Sequence, residues 1–246
     1  MTPPVNVIGE LRAAGCAFAE REAELLEEAA SGPDLEDLVR RRCAGEPLEH
    51  LLGWVEFRGR RLLVGPGVFV PRRRTELLSE LADGSGVLVE LCCGAGPVAA
   101  TAASAKAYAA DIDRTAAEYA ARNAPAATVL VGDLFGPLPA ALRGTVDVIA
   151  ANAPYVPTAA IRTMPAEARD NEPHRALDGG PDGLTLHRRI ALDAPRWLRP
   201  GGRVLIETGR QQATYTVAAL RAVGLDTHIE VDDERQATVA VGVKPS

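Results

Sequence analysis

Three carboxylates stand out by position: Glu90, Asp111 and Asp133, about twenty residues apart, each at or just past the end of a short apolar run. The first run, Val87-Leu-Val-Glu-Leu, opens into Cys92-Cys93-Gly94-Ala95-Gly96. Gly94 and Gly96 carry no Cβ, so the backbone there can approach a ligand closely. Pro97 follows the second glycine and no third glycine closes a dinucleotide fingerprint; no Gly-Lys-Ser/Thr follows, which excludes a phosphate loop. Asp111, with Ile112 beside it, is placed to accept hydrogen bonds from both hydroxyls of a ribose. Asp133 is placed to accept from an exocyclic amine such as that of adenine, with Leu134 as the apolar neighbour of the ring. Any one of these acids reads by itself as a solvated strand end. Three in succession, with Cys92 completing the first turn, point to an adenosyl compound without a phosphate. S-adenosylmethionine is the common one.

A fourth apolar run ends in Ala151-Asn152-Ala153-Pro154-Tyr155. The stretch resembles the Asn/Asp-Pro-Pro-Tyr/Phe motif of methyltransferases that act on an NH2 group attached to a planar system. An amide nitrogen is a poor nucleophile because its lone pair is delocalised. The Asn152 side-chain oxygen and the Ala153 carbonyl can accept its two hydrogens and turn the lone pair towards a methyl carbon. Tyr155 can stack on the planar group. Rate would then come from positioning, with no dedicated strong base.

The elements that must hold these residues are legible as periodicity. Residues 5–44 read as helices, with Leu25, Leu26, Leu35, Leu38 and Val39 at helical spacing. Gly32-Pro33 breaks that run, and Asp34 is the expected N-cap of a fresh helix. Val55-Glu-Phe and Arg61-Leu-Leu-Val flank Arg58-Gly59-Arg60 as a β-hairpin. From Leu77 onward strands and helices alternate. A helix starts at Pro97, a strand ends at Asp111, and a helix covers 116–123. Further strands are expected at 128–131, 146–151 and 203–207. The last two, 227–231 and 237–243, follow without a helix between them, which predicts an antiparallel final pair. Apolar strands separated by helices make a doubly wound α/β sheet, whose ligands bind beyond the carboxyl ends of the strands.

At 246 residues the chain fits one large α/β domain plus a small appendage. Aromatic residues are only 4% of it, so Ala, Val and Leu must do most of the packing. No run of about 18 apolar residues exists, and no membrane span is expected. Met1-Thr-Pro-Pro-Val-Asn lacks the basic and apolar regions of a signal peptide. Cys16, Cys43, Cys92 and Cys93 form no metal-ligand spacing, and reduced thiols in a cytoplasm are the simplest reading. His50, His174, His187 and His228 are scattered, and no metal is expected. The net charge of −6 sets the chain against stable nucleic-acid binding. Arginines crowd the first third at 40–42, at 58, 60 and 61, and at 72–74. Such runs read first as solvated faces; a site for an acidic or RNA-bearing partner is the alternative, and one of the last three could line a substrate path. Glu172-Pro173 and Asp178-Gly179-Gly180 lie in a long irregular stretch of the kind that forms lids, with Asp178 and Asp182 as turn residues.

Arg41-Arg-Cys-Ala-Gly-Glu-Pro-Leu, Val70-Pro-Arg-Arg-Arg-Thr-Glu-Leu-Leu, Asn171-Glu-Pro, Ala176-Leu-Asp-Gly-Gly-Pro-Asp-Gly-Leu and Leu198-Arg-Pro-Gly-Gly occur in that order. Together with the two sites they resemble the protein-(glutamine-N5) methyltransferases, the HemK-like enzymes that modify peptide-chain release factors, over residues 40–246. Within that family the chain resembles most a branch with the Cys-Cys-Gly and Asn-Ala-Pro-Tyr variants. The resemblance implies a seven-stranded, Rossmann-like class I methyltransferase domain at 76–246. Before it stand a helical substrate-recognition region at 1–52 and a β-hairpin linker at 53–75. It implies that Glu90, Cys92, Gly94, Gly96, Asp111, Ile112, Asp133, Leu134 and Asn152 hold S-adenosylmethionine. Asn152, Ala153, Pro154 and Tyr155 would hold the acceptor amide, a glutamine of a protein substrate. An NH2 group of a nucleic-acid base, a small amide, and a silent cofactor-binding protein are the competing readings. The departures from the family pattern are Cys92 for a glycine, Ala153 for a proline, and a short helical N-terminus.

Overall fold

The computed structural model describes residues 6–246; Val5, the first residue of the helical reading, and the four before it lie outside the described residues. Helices α1 (Val7–Ala13), α2 (Ala19–Ala29), α3 (Pro33–Cys43) and α4 (Leu48–Leu52) come first. Leu11, Ala23, Leu26 and Val39 bury into a cluster of their own among these helices. The Asn6 side chain accepts from the Gly9 amide at 3.1 Å and caps α1. The start of α3 differs from the sequence reading. Gly32, at φ 59°, is the N-cap, Pro33 takes the first helical position, and Asp34 falls in the first turn. The fixed φ of proline suits that position, and a carboxylate one residue later still faces the positive helix end.

Strands β1 (Trp54–Phe57) and β2 (Arg60–Leu63) form the antiparallel hairpin. Its turn residues, Arg58 and Gly59, both have positive φ, as a tight hairpin turn requires. Phe57 and Leu62 face inward with Ala95, Ala100 and Ala124, which seats the hairpin on the main sheet's helices.

The sheet follows as α5 (Thr75–Leu81), β3 (Ser85–Leu91), α6 (Pro97–Thr101), β4 (Ser104–Asp111), α7 (Arg114–Asn123), β5 (Thr128–Val131) and β6 (Val146–Ala151). After α8 (Ala166–Asn171), α9 (His174–Leu177) and α10 (Thr185–Trp197) it closes with β7 (Leu198–Glu207), α11 (Ala213–Ala222), β8 (Asp226–Asp232) and β9 (Ala237–Val243). The order is β5-β4-β3-β6-β7-β9-β8, parallel except that β9 runs against both β7 and β8. This is the seven-stranded doubly wound sheet with its last pair antiparallel. Strand β7 starts five residues before the expected Arg203, since Leu198-Arg-Pro-Gly-Gly joins it through a register shift opposite Val146 and Val148.

Neighbouring residues on each strand serve opposite faces. Val89, Ile149 and Ile206 pack with Ile190 and Trp197, while Leu88, Val148 and Leu205 pack with Leu78 and Val239. Burial on both faces explains why the strands read as continuous apolar runs. Among the described residues no helix is long and apolar enough to cross a membrane. The chain winds to one side through β4 and to the other through β6, so the strand order reverses between β3 and β6. A crevice must open beyond their carboxyl ends.

Candidate active site

That crevice is a cavity of about 710 Å³. Every residue expected to bind the cofactor or the acceptor lines it except Gly96. Gly96 is instead turned towards α7, where a Cβ would stand 2.9 Å from the Ala120 Cβ. Its missing side chain serves helix packing, a correction to the expectation that both glycines admit a ligand. Gly94, at φ 52°, has nothing within 4 Å of where a Cβ would lie, and its backbone faces the open cavity.

Glu90 ends buried, with 3% of its surface exposed. Its carboxylate accepts from the amides of Val98 at 3.1 Å and Ala99 at 2.7 Å, and so holds the start of α6 against the loop. Burial pushes its pKa up to about 8, against the pull of those two amides. Cys92 sits at φ 51°. An L side chain in that left-handed region costs roughly 1–2 kcal/mol, which is why glycine suits the position. Burial raises the Cys92 and Cys93 thiols far above the ordinary range, so both stay neutral.

Asp111 is tied to the same loop. Its Oδ2 accepts from the Gly94 amide and its Oδ1 from the Asp113 amide, both at 2.8 Å. Each oxygen keeps a further lone pair for a ligand hydroxyl. Ile112 beside it is 59% exposed and forms an apolar rim. Asp133 carries a partner that the sequence did not reveal: Arg189 of α10 donates to its Oδ2 at 2.6 Å. Arg175 of α9 approaches Asp113 at 3.3 Å, so two ion pairs span the mouth of this half of the cavity. Leu134, at φ 47°, is buried beside Asp133.

The acceptor half begins at the end of β6. Asn152 Nδ2 donates to the Thr75 hydroxyl at 3.2 Å, which leaves Oδ1 to accept from elsewhere. Ala153 is fully buried, and its backbone lies beside the His187 ring. The loop is clamped from outside by the glycine-rich segment. Val156 donates to the Leu177 carbonyl at 3.0 Å, and Gly179 donates to the Val156 carbonyl at 2.9 Å. A Cβ on Gly179 would meet the Pro154 carbonyl and Tyr155 Cα at 2.7 Å, and one on Gly183 would stand 2.2 Å from the Tyr155 carbonyl. The glycines after Asp178 are therefore what lets two backbones touch. Asp178 accepts from the Thr158 hydroxyl at 2.6 Å and the Gly180 amide at 2.9 Å, a turn role. The stretch expected to be irregular is partly helical, since α8 and α9 form the outer wall with Met164, Pro165, Ala168 and Pro173.

Under the loop lies a group of residues that sequence reasoning passed over. Glu207, 1% exposed at the end of β7, takes Arg74 Nε on its Oε1 at 3.2 Å, while its Oε2 has no close partner. Burial raises its pKa, opposed by the Arg74 charge and the nearby hydroxyls of Thr75 and Tyr155. Burial likewise pushes Tyr155 up to about 12, so its phenol remains a neutral donor. The available signal was a fourth acid closing an apolar strand, Arg203-Val-Leu-Ile-Glu. His187, fully buried, meets the Thr216 hydroxyl through Nδ1 at 2.9 Å, and burial holds its pKa down at about 4. It is a neutral packing group.

The solvated-face reading of the arginine clusters holds for the exposed Arg40, Arg60, Arg61 and Arg73, while other members pair with carboxylates of the fold. Arg42 binds Glu22 and Glu167, Arg58 binds Asp83, Arg72 binds Glu172 and Arg74 binds Glu207. Arg72 and Arg74 also line the cavity, as one of that run was expected to. Among the described residues no group of His, Cys, Asp or Glu stands close enough to hold a metal ion.

The chain is 36% identical to the release factor glutamine methyltransferase of Mycolicibacterium smegmatis, over 89% of this chain and 88% of that protein. It is 38% identical to the enzyme of the same name from Moorella thermoacetica, over 76% and 70%. A third relative, the 4-amino-L-phenylalanine/4-methylamino-L-phenylalanine methyltransferase of Streptomyces pristinaespiralis, is 35% identical over 77% and 70%. No family model matches the chain. Among solved structures, a methyltransferase from Pyrococcus furiosus aligns with a TM-score of 0.59 at 17% identity, covering 77% of this chain and 91% of that one. That likeness is one of fold.

Proposed function

The chain belongs to the family of release factor glutamine methyltransferases, and from that premise we propose that it methylates the side-chain amide nitrogen of a glutamine in a peptide-chain release factor. It is an S-adenosylmethionine-dependent N-methyltransferase. The observation that carries the reading is the meeting of two sites in one cavity. Asn152 to Tyr155 line the same cavity as Glu90, Asp111 and Asp133.

The residues present fit the cofactor. Open space over Gly94 admits it, Asp111 is positioned for its ribose, and Asp133, Ile112 and Leu134 for its adenine. Glu90 and Cys92 shape the loop beneath it rather than reach for it. S-adenosylmethionine supplies a methyl carbon on a sulfonium, with a neutral thioether as leaving group. Everything else falls to the chain. Asn152 Oδ1 and the Ala153 carbonyl accept the two amide hydrogens and aim the nitrogen lone pair. Pro154 stiffens the turn between them and Tyr155, whose ring flanks the planar amide. After transfer the nitrogen sheds one hydrogen as a proton to solvent. The buried phenol and neutral His187 offer no strong base, so orientation supplies the rate.

Stable nucleic-acid binding is no part of this reading, because internal carboxylates engage the arginines such a surface would need. A cytoplasmic setting accords with the four free cysteines. A second reading has support in the Streptomyces pristinaespiralis relative, whose name specifies an arylamine. A flat NH2 group of that kind suits the same loop. Purified release factor, cofactor and enzyme are expected to add one methyl group to the tryptic peptide bearing the Gly-Gly-Gln glutamine. An unmodified peptide, with 4-aminophenylalanine or another small amine labelled in a parallel reaction, would overturn the release-factor assignment and leave the chemistry standing.

A further inference from the structure

The peptide that follows Tyr155 is held at both of its edges. Its N–H, on Val156, donates to the Leu177 carbonyl at 3.0 Å. Its carbonyl, on Tyr155, accepts from the Gln212 side-chain amide at 2.9 Å. A peptide unit is planar, so bonds on opposite edges resist its rotation. Upstream, Asn152 leaves the end of β6 and the Pro154 ring locks φ at its own position. The acceptor loop is therefore a short span between the sheet and one fixed peptide. The Tyr155 ring leans on His187, with centroids 6.3 Å apart and planes tilted by 54°.

Gln212 is itself firmly held. It is the N-cap of α11, its backbone N–H donates to the Gly209 carbonyl at 2.8 Å, and its carbonyl accepts from the amides of Tyr215 and Thr216, both at 3.0 Å. The side-chain amide has two hydrogens to give. The one not taken by Tyr155 goes to the Asp182 carbonyl at 3.1 Å. Both partners are carbonyl oxygens, so the reversed amide would set Oε1 against two acceptors, and its orientation is settled. Gly183, at φ 74°, leaves room for the contact, because a Cβ there would collide with the Tyr155 carbonyl oxygen and with Gln212 Nε2. One side chain thus ties the acceptor loop to the glycine-rich segment and both to the start of α11. We infer that Gln212 is a positioning residue for methyl transfer, which fixes the peptide after Tyr155 and so the placing of the Tyr155 ring and the Ala153 carbonyl against the acceptor. The inference rests on the amide-methylation reading for its catalytic consequence, though not for its geometry.

The test uses two variants that delete both donors. Gln212→Met keeps the length of the side chain, and Gln212→Glu keeps its shape while its ionised form can only accept. Both are expected to lower kcat at least about tenfold with cofactor Kd within about twofold, because misplaced reacting groups cost rate rather than cofactor binding. Wild-type kcat in either variant, or a cofactor affinity that falls in step with turnover, overturns the inference.

A second arm needs no acceptor. The hydrogen bonds of the Val156 and Gly179 amides, to the Leu177 and Val156 carbonyls, flank the clamped peptide. Both amides should exchange with solvent at least about tenfold faster in the two variants, while amides within β3 and β6 keep their wild-type rates. Unchanged exchange at those two amides, or an acceleration spread equally over the sheet, overturns the inference. If the wild-type enzyme leaves every release factor unmodified, the acceptor assignment falls and this arm still decides the positioning.

Discussion

Arg42 on α3 donates to Glu167 on α8 at 2.6 Å, a contact between residues 125 apart that ties the N-terminal helices to the outer wall of the cavity. The same guanidinium holds Glu22 at 2.6 Å, and both of those side chains are about nine-tenths buried. Asn171 reinforces the junction by donating to the Gly45 carbonyl at 3.0 Å.

The two partners of Arg42 should behave differently. Arg42→Ala strands a buried Glu22 carboxylate and is expected to destabilise the protein by about 3–5 kcal/mol. Glu167→Ala removes a carboxylate that is 41% exposed and should cost less than about 1 kcal/mol. Urea unfolding of both variants separates them; equal losses would mean that Arg42 acts mainly through Glu167.

Gly94 and Gly96 should divide stability from binding. Gly96→Ala drives a methyl against Ala120 at φ 72° and is expected to destabilise by about 1–3 kcal/mol. Gly94→Ala meets open space, so its stability cost should be smaller while its loss of cofactor affinity is larger. Calorimetric titration beside urea unfolding gives both quantities. The opposite ranking would reassign which glycine faces the ligand.

Asp111→Ala is expected to weaken S-adenosylmethionine binding at least about tenfold. Charge-assisted hydrogen bonds to the ribose contribute roughly 1.5–3 kcal/mol each, and the Gly94 and Asp113 amides lose their acceptor as well. An unaltered affinity in the folded variant removes Asp111 from the cofactor site.

Acid should find His187. Its folded pKa, about 4, lies below the ordinary 6.5, so the unfolded chain takes up a proton first. The stability contribution is complete above pH 6.5 and drains away as pH falls towards 4, by up to roughly 3 kcal/mol. The gap in unfolding free energy between wild type and His187→Asn should therefore change between pH 7 and pH 5, with wild type losing more. Parallel pH curves would show that another group carries the acid sensitivity.

Much of the cavity's lining was legible because its signals are local. Val87-Leu-Val-Glu-Leu followed by two glycines marks a strand and a tight turn within ten residues. The spacing of Asp111 and Asp133 repeats the strand–helix unit that separates them. Asn152-Ala-Pro-Tyr is legible for the same reason, since the side chain and carbonyl proposed to orient an amide are neighbours in the chain. The partial failures were also local. Asp34 resembles a cap, yet Gly32 adopts the positive φ that lets Pro33 start the helix, so the cap moved two residues back.

The amino-acid sequence alone determined the α/β alternation, the carboxyl-end position of the acids and the chemistry those residue types allow, since each depends on neighbours a turn or a strand apart. Tertiary structure alone decided their partners. Arg74 finds Glu207 across 133 residues, Arg72 finds Glu172 across 100, and Arg189 finds Asp133 across 56. An arginine run reads as a solvated face because nothing nearby in sequence reveals that a carboxylate will be buried beside it. Burial makes the difference. Removing Glu207 from water leaves Arg74 the charge that must compensate it, and only the folded chain brings the start of α5 to the end of β7 for that pairing and sets Thr75 against Asn152 at the end of β6.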